Sequence, residues 1–492
     1  MNRTSRRSRF QSLQKFAVVV TSSTLASVAV AQPAPNEQSD EWRFSGSLRT
    51  RLENWDWFTT PGFDDNYSFA GTLLRAGATK QTSKFDTQIE FALPLLAGLP
   101  DNAVAPAPRG ALGLGANYRV ANGDQDASLF LKQAYVRFKG IGNAGSTLRL
   151  GRFEFADGLE SLPKDATLGW LKRERIGHRL IGNFGFSHVG RSFDGAVYSF
   201  RSPSNNFTLF AARPTEGVFQ LNSWGEVKDV SLAYGSWTKP SANSDARLFA
   251  LYYRDVRKPG LSVKVDNRPA PVRAADDEKI GITTLGGHYL HKLETSAGTV
   301  DLLAWGALQR GAWGTQKQRS SALALEAGFQ PKNVKWKPWL RAGYFRGSGD
   351  GNAADNQHET FFQVLPTPRI YARFPFYNMM NNEDLFVQAI VRPSPKLNVR
   401  ADIHRLRLND ANDLWYGGGG AFQDNSFGYA GRPSGGASKL ATVFDLGVNY
   451  ALNKRTAVQV YVAHARGGGV VRNAYPAGDK ANYAYVEVSR QF

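Results

Sequence analysis

Arginines alternate with apolar residues in several stretches of this chain. SGSLRTRLENW alternates Leu48, Thr50 and Leu52 with Arg49, Arg51 and Glu53. TLLRAGA places Arg75 between Leu74 and Ala76, and KPWLRAGYF sets Trp339 and Arg341 against Leu340, Ala342 and Tyr344. LNVRADIHR opposes Arg400, Asp402 and His404 to Val399, Ala401 and Ile403. A guanidinium is always charged and grips a carboxylate with two parallel hydrogen bonds. On a strand, alternate residues share a face, so each stretch has one cationic and one apolar side. The chemistry on offer is electrostatic: either Arg–Glu and Arg–Asp pairs that brace a wall, or an excess of arginine that attracts anions.

Acid–base and nucleophilic chemistry find less support. The seven histidines are 178, 188, 288, 291, 358, 404 and 464, and no G-x-S-x-G is present. Ser187 and His188 are neighbours and on a strand would face opposite ways. His288 and His291 are three apart, a helical spacing. Asp402 and His404 share a face, which predicts a structural hydrogen bond. GSGDGNAAD (347–355) lacks calcium-loop spacing and a bidentate glutamate, GLGANY (113–118) is no dinucleotide fingerprint, and the chain has no cysteine. The expectation is no enzyme, no metal and no cofactor.

The elements that must position these residues read as strands of about ten residues with period-two alternation. KFDTQIEFAL, DLFVQAIVR, LATVFDLGVNY and TAVQVYVAHAR repeat the pattern. Short turns (79–84, 202–206, 295–298, 331–335, 393–395, 452–455) take turns with long loops (94–126, 156–190, 255–280, 347–383, 409–438, 467–481). Tight turns on one side and large loops on the other predict an all-β outer-membrane barrel of about 18 antiparallel strands. Charges facing lipid near the midplane cost about 2–4 kcal/mol, so the arginines must turn into the lumen or sit at strand ends. Tyr450, Trp170 and Trp339 are expected in interfacial girdles. DLWYGGGGAF (413–422) reads as an extracellular loop with two rings at the mouth.

Composition agrees. Aromatics make up 12% of the chain, there are 49 glycines, and mean hydropathy is −0.37. No later stretch approaches the roughly 20 apolar residues of a spanning helix. Arg3, Arg6, Arg7, Arg9 and Lys15 precede an uncharged run that closes on Ala29-Val30-Ala31, so residues 1–31 read as a signal peptide. Residues 32–41 form a short lead and 42–492 the barrel domain, in the outer membrane of a Gram-negative cell. The net charge of +18 falls to +13 without the five positives of residues 1–31. Such a chain attracts polyanions. Export and the absence of a binding motif argue against nucleic acid. Its surroundings are outer-membrane lipid and lipopolysaccharide, and the terminal strand ANYAYVEVSRQF, ending on Phe492, resembles the signal read by the barrel assembly machinery.

One stretch fits neither strand nor surface loop. LPTPRIYARFPFYNMMN (365–381) is rich in rings, carries two arginines and is broken by three prolines. It is expected to fold into the barrel as a stiff constriction, with Arg369 and Arg373 selecting charge. LRLGRFEFADG (148–158), HRLIGNFGFSHVGRSFDGA (178–196), GYFRGSGDGNAADNQHETFFQVLPTPRIYARFPFYNMMN (343–381) and IHRLRLNDANDLWYGGGGAF (403–422) resemble the alginate export proteins of Gram-negative outer membranes. The resemblance implies an 18-stranded monomeric barrel with an arginine-rich constriction for a polyuronate. At matching places stand Arg49 or Arg51, Arg75, Lys132 with Gln133, Arg152, Arg369 and Arg373. With Arg341, Arg400 and Tyr371 these form the expected pore lining. Tyr371, Phe374 and Trp339 are expected to stack on sugar faces. The function implied is passive transport, as export, of an anionic polysaccharide such as alginate; the alternative is a porin importing small anionic nutrients or oligosaccharides.

Overall fold

A computed structural model describes residues 39–258, 262–367, 372–374, 378–417, 424 and 427–492. Residues 1–38, which include the expected signal peptide, and Arg369 and Tyr371 lie outside the described residues. Eighteen antiparallel strands close into a barrel. They are β1 (Ser39–Asp56), β2 (Asn66–Gln81), β3 (Phe85–Ala97), β4 (Phe130–Lys139), β5 (Ser146–Phe153) and β6 (Phe193–Arg201). Then come β7 (Asn206–Pro214), β8 (Val230–Pro240), β9 (Ser244–Asp255), β10 (Ile280–Glu294), β11 (Gly298–Trp313) and β12 (Gln316–Pro331). The last are β13 (Trp339–Gly347), β14 (Asn382–Ser394), β15 (Leu397–Arg407), β16 (Lys439–Ala451), β17 (Thr456–Gly467) and β18 (Lys480–Gln491). Each pairs with its sequence neighbours, and β1 pairs with β18 to close the ring, so the barrel wall has no open edge among the described residues.

Alternation decides which way each side chain points. Leu48 and Leu52 are exposed on the outer face, while Arg49, Arg51 and Glu53 are buried inside. The same holds for Leu385 and Val387 against Phe386 and Gln388, and for Phe444 and Leu446 against Asp445. Tyr450 is exposed, as a girdle ring should be, but Trp170 and Trp339 are buried inside and pack on each other at 4.4 Å. Trp339 leads β13 on its lumenal face, and Trp170 belongs to an infolded loop, a placement that local alternation could not reveal. The seam is reinforced by the C-terminus: the backbone of Phe492 exchanges two hydrogen bonds with Gly46, of 3.0 and 3.1 Å. The Phe492 ring lies so close over β1 that a Cβ at Gly46 would come within 2.3 Å of it.

Turns at one end are short. The other end carries the long loops 98–129, 154–192, 256–279, 348–381 and 408–438. One connection breaks the asymmetry, because β11 and β12 join at that end through only Gly314 and Thr315. The pair Gln357–His358, from loop 348–381, extends the wall by pairing in parallel with Lys317 and Gln318 of β12.

Loop 154–192 and the described part of 348–381 fold into the barrel and pair with each other. Ile181 and Leu365 form a parallel bridge. The amide of Gly182 donates to the carbonyl of Leu365 (2.8 Å), and those of Leu365 and Thr367 donate to Leu180 and His178 (2.9 Å each). Irregular backbone is tolerated at this depth because it meets protein and not lipid. Asp157 secures the first loop by accepting from the amides of Leu180 and Ile181. The described part of 365–381 is buried throughout: Phe374 stacks on Trp57 at 5.6 Å, and Trp57 donates to the Tyr475 hydroxyl.

Candidate functional site

The cationic residues of the first strands converge on one wall. Arg51 and Glu487 are register partners across the β1–β18 seam. Nη2 of Arg51 meets the Glu487 carboxylate at 2.6 Å and Nη1 meets Glu53 at 3.3 Å. The guanidinium lies 4.1 Å from the Phe186 ring and 4.8 Å from that of Tyr485. Arg75 of β2 bridges Glu90 and Glu154. Lys132 approaches Glu154 at 3.4 Å, and the Gln133 amide donates to Glu90 at 3.3 Å. Lys132 and Gln133 are sequence neighbours, yet both are buried in the lumen. A register shift between Glu90 and Phe91 of the partner strand β3 explains it: the extra residue of a bulge puts two successive side chains on one face.

This wall holds loop 154–192 in place. Arg49 donates to the carbonyls of Gly185 and Ser187, and Arg51 to that of Phe186. The Lys132 ammonium donates to Val189 and Arg191 at 3.3 Å each. His188 lies so close over β2 that a Cβ at Gly71 would come within 2.4 Å of its ring, and it bonds Glu53 at 3.1 Å. Burial pushes the His188 imidazole down to about 4, so it is neutral at pH 7. Burial opposes ionisation of Glu154 too, but Arg75 and Lys132 outweigh it and hold that carboxyl down at about 2.

A second cationic group comes from loop 154–192 itself. After a short helix α1 (Ala166–Leu171), a π-turn (Lys172–Ile176) carries Lys172 to Asp245 of β9 (2.7 Å) and Arg175 to Glu326 of β12 (2.8 Å). Arg341 meets Asp301 and Glu326 and lies 5.4 Å from Trp170. Lys172, Arg175 and Arg179, whose guanidinium lies 4.8 Å from the Trp305 ring, were missed in the strand-based reading. The signal available was LKRERIGHR (171–179), too basic and too long a run for an ordinary loop.

Other expected residues are placed differently. Arg373 donates to the Tyr485 hydroxyl, lies 5.7 Å from the Tyr461 ring, and makes no ion pair with the described residues. Arg400 is bound to Asp402, two residues along its own strand. Arg152 is not in the lumen. It shares a face with exposed Leu150, opposite buried Phe153, and pairs with Asp194 at 2.6 Å near exposed Trp224 at the rim. The physical reason is simple parity: β5 keeps its register through Gly151, so Arg149 and Phe153 take the inner face. Phe374 and Trp339 are sealed in packing and offer no free face for a sugar. Trp415 and Tyr416 are buried as well, with Arg432 4.8 Å from the Trp415 ring, and so do not line an open mouth.

The histidines are also rearranged. His288 faces in and bonds Asp245 at 2.7 Å, while His291, three residues on and so of opposite parity, takes the outer face and stacks with exposed Tyr289. Their spacing belongs to β10, not to a helix. Ser187 and His188 lie on loop 154–192, not on a strand, and Ser187 donates to the carbonyl of Val218. His404 bonds Asp384 on the adjacent strand, at 2.9 Å, and not Asp402.

A family model described as alginate export matches residues 82–486. No curated protein matches the chain. Crystal structures of outer-membrane Occ porins share the fold. OccAB1 of Acinetobacter baumannii has a TM-score of 0.57 at 10% identity, over 93% of this chain and 98% of that one. OccAB3 of the same organism has a TM-score of 0.56 at 9% identity, over 92% and 99%. OccK9 of Pseudomonas aeruginosa has 0.55 at 13% identity, over 92% and 98%. At such identities the likeness speaks to the fold alone.

Proposed function

We propose, from the premise that the chain belongs to the alginate export family, that this outer-membrane barrel is a passive, anion-selective channel exporting an acidic polysaccharide such as alginate. The observation that carries this reading is the cluster around Tyr485. Arg49, Arg51 and Arg373 meet there, with Glu53 and Glu487 as the carboxylates in reach. Cations exceed anions by one, and Arg49 spends both terminal nitrogens on loop carbonyls. A carboxylate of the substrate would exchange for such neutral acceptors at little electrostatic cost, since charge-assisted bonds are about twice as strong as neutral ones. Successive uronates would pass along by binding weakly enough to leave. The chain acts as a monomer in this reading.

A second reading, a porin for small anionic nutrients or oligosaccharides, draws support from how fully the infolded loops occupy the lumen. Trp57, Phe58, Phe374 and Tyr475 pack there without solvent exposure to speak of. Single-channel recording in planar bilayers separates the two. The export reading expects anion selectivity and current block that strengthens with uronate chain length. Block by monomeric uronate alone favours the porin, and cation selectivity without block rejects both. Arg49→Ala with Arg373→Ala is expected to lower the anion-to-cation permeability ratio several-fold. An unchanged ratio would make both residues braces.

A further inference from the structure

The wall made by β14, β15 and β16 carries the opposite arrangement. Asp402 of β15 and Asp445 of β16 are register partners, side by side on the lumenal face. Both are buried, with 3% and 8% of their surface exposed. Like charges at directly opposed positions repel, and burial removes the water that would screen them. His404 follows on the same face of β15 and is wholly buried. One ring nitrogen of His404 and one carboxylate oxygen from each aspartate lie within 4.8 Å of one another.

The surrounding residues hold these three in place. Asp384 of β14 binds Nδ1 of His404 at 2.9 Å, and Nε2, itself buried, has no hydrogen-bond partner among the described residues. A carboxylate on one ring nitrogen fixes the tautomer that offers the other nitrogen as a lone pair, as in carboxylate–histidine–zinc sites. Gln388, the register partner of Asp402 on β14, donates to Oδ1 of Asp402, and Arg400 donates to Oδ2. Tyr461 of β17 donates to Asp445 at 3.0 Å. In the neutral form of His404 that metal ligation requires, the carboxylates of Asp384, Asp402 and Asp445 exceed the charge of Arg400 by two.

We propose that Asp402, His404 and Asp445 bind a divalent transition-metal cation, with zinc as the best-suited ion. A mixed imidazole–carboxylate set suits zinc, and a single divalent charge brings the cluster to neutrality. Bonds of about 2.0–2.2 Å call for the ligand atoms to close from their present separation, which side-chain rotation can supply. A fourth ligand would be water or an anion. The ion would tie β15 to β16 through their side chains and turn a repulsive pair into a cross-link.

The test uses the untagged full-length protein, folded in detergent and stripped with a chelator. Isothermal titration with zinc is expected to give one saturable site per barrel. Cobalt in its place should give the visible absorption bands of a nitrogen–oxygen site. His404→Gln and Asp445→Asn should each weaken zinc binding at least tenfold, and His404→Gln should alter the cobalt spectrum. Heat-modifiable gel mobility verifies that each variant is a folded barrel. The proposal is overturned if the folded wild-type protein takes up no zinc saturably, which would leave the aspartates sharing a proton. It is equally overturned if both variants bind zinc as the wild type does, which would place the ion elsewhere.

Discussion

The two charged walls of this barrel solve burial in opposite ways. On the wall of β18, β1 and β2, each buried carboxylate has a cation in reach: Arg51 faces Glu487 across the seam, and Arg75 bridges Glu90 and Glu154. On the wall of β15 and β16, Asp402 faces Asp445, and Arg400 is the one permanent cation that these strands set against them. The first wall is complete in its own charges and adds loop carbonyls as spare acceptors. The second is short of positive charge. Side-chain alternation is the same on both, so the difference lies in which types the register brings together.

The largest effect should come from breaking the first wall. Arg51→Ala leaves Glu53 without its arginine and Glu487 with only Arg49 at 3.8 Å, and should cost about 3–5 kcal/mol of stability, read as earlier loss of heat-modifiable mobility. Asp445→Asn in chelator-treated protein should be neutral or stabilising by the same assay. Equal destabilisation by the two would end the contrast between the walls. The next effect compares faces within the second wall. Leu385→Arg puts a charge toward lipid and should cost about 2–4 kcal/mol if it lies near the midplane. Gln388→Lys, on the adjacent inner face, should instead supply a further permanent cation and raise the stability of the metal-free protein by about 1 kcal/mol, the net worth of one ordinary hydrogen bond. A penalty as large as that of Leu385→Arg would show the cluster needs no cation. The smallest effect belongs to Arg152→Ala. Its pair with Asp194 sits at the outer rim, so the loss should stay within about 1 kcal/mol, with anion selectivity unchanged. A clear fall in selectivity would return Arg152 to the anion path.

Much of this was legible along the chain. Period-two alternation gave the strands and their inward and outward faces, because lipid excludes charge from one side and the pleat assigns sides strictly. It placed Arg49, Arg51, Arg75, Arg341 and Arg400 on inner faces without any knowledge of the fold. Alternation also carried the information that Arg152 faces outward, through Leu150, which the family resemblance obscured. Lys132 beside Gln133 was harder, since the bulge that turns both inward exists only in the pairing of β3 with β4. The rings and prolines of 365–381 announced that Phe374 turns inward, but the burial of Trp170 and Trp415 was not readable, because a loop has no period and its rings find partners only after it folds inward.

What the sequence alone determined is therefore local: strand length, turn against loop, and the face each side chain takes. These follow from the solvent on each side of a single strand. Which charge meets which was decided by closure of the ring. Arg51 and Glu487 are 436 residues apart, and nothing near either one names the other. Register between such distant strands sets one pair to attract and another, Asp402 and Asp445, to repel. Only the closed barrel, with its loops drawn in, fixes those partners in a dry interior where the difference counts.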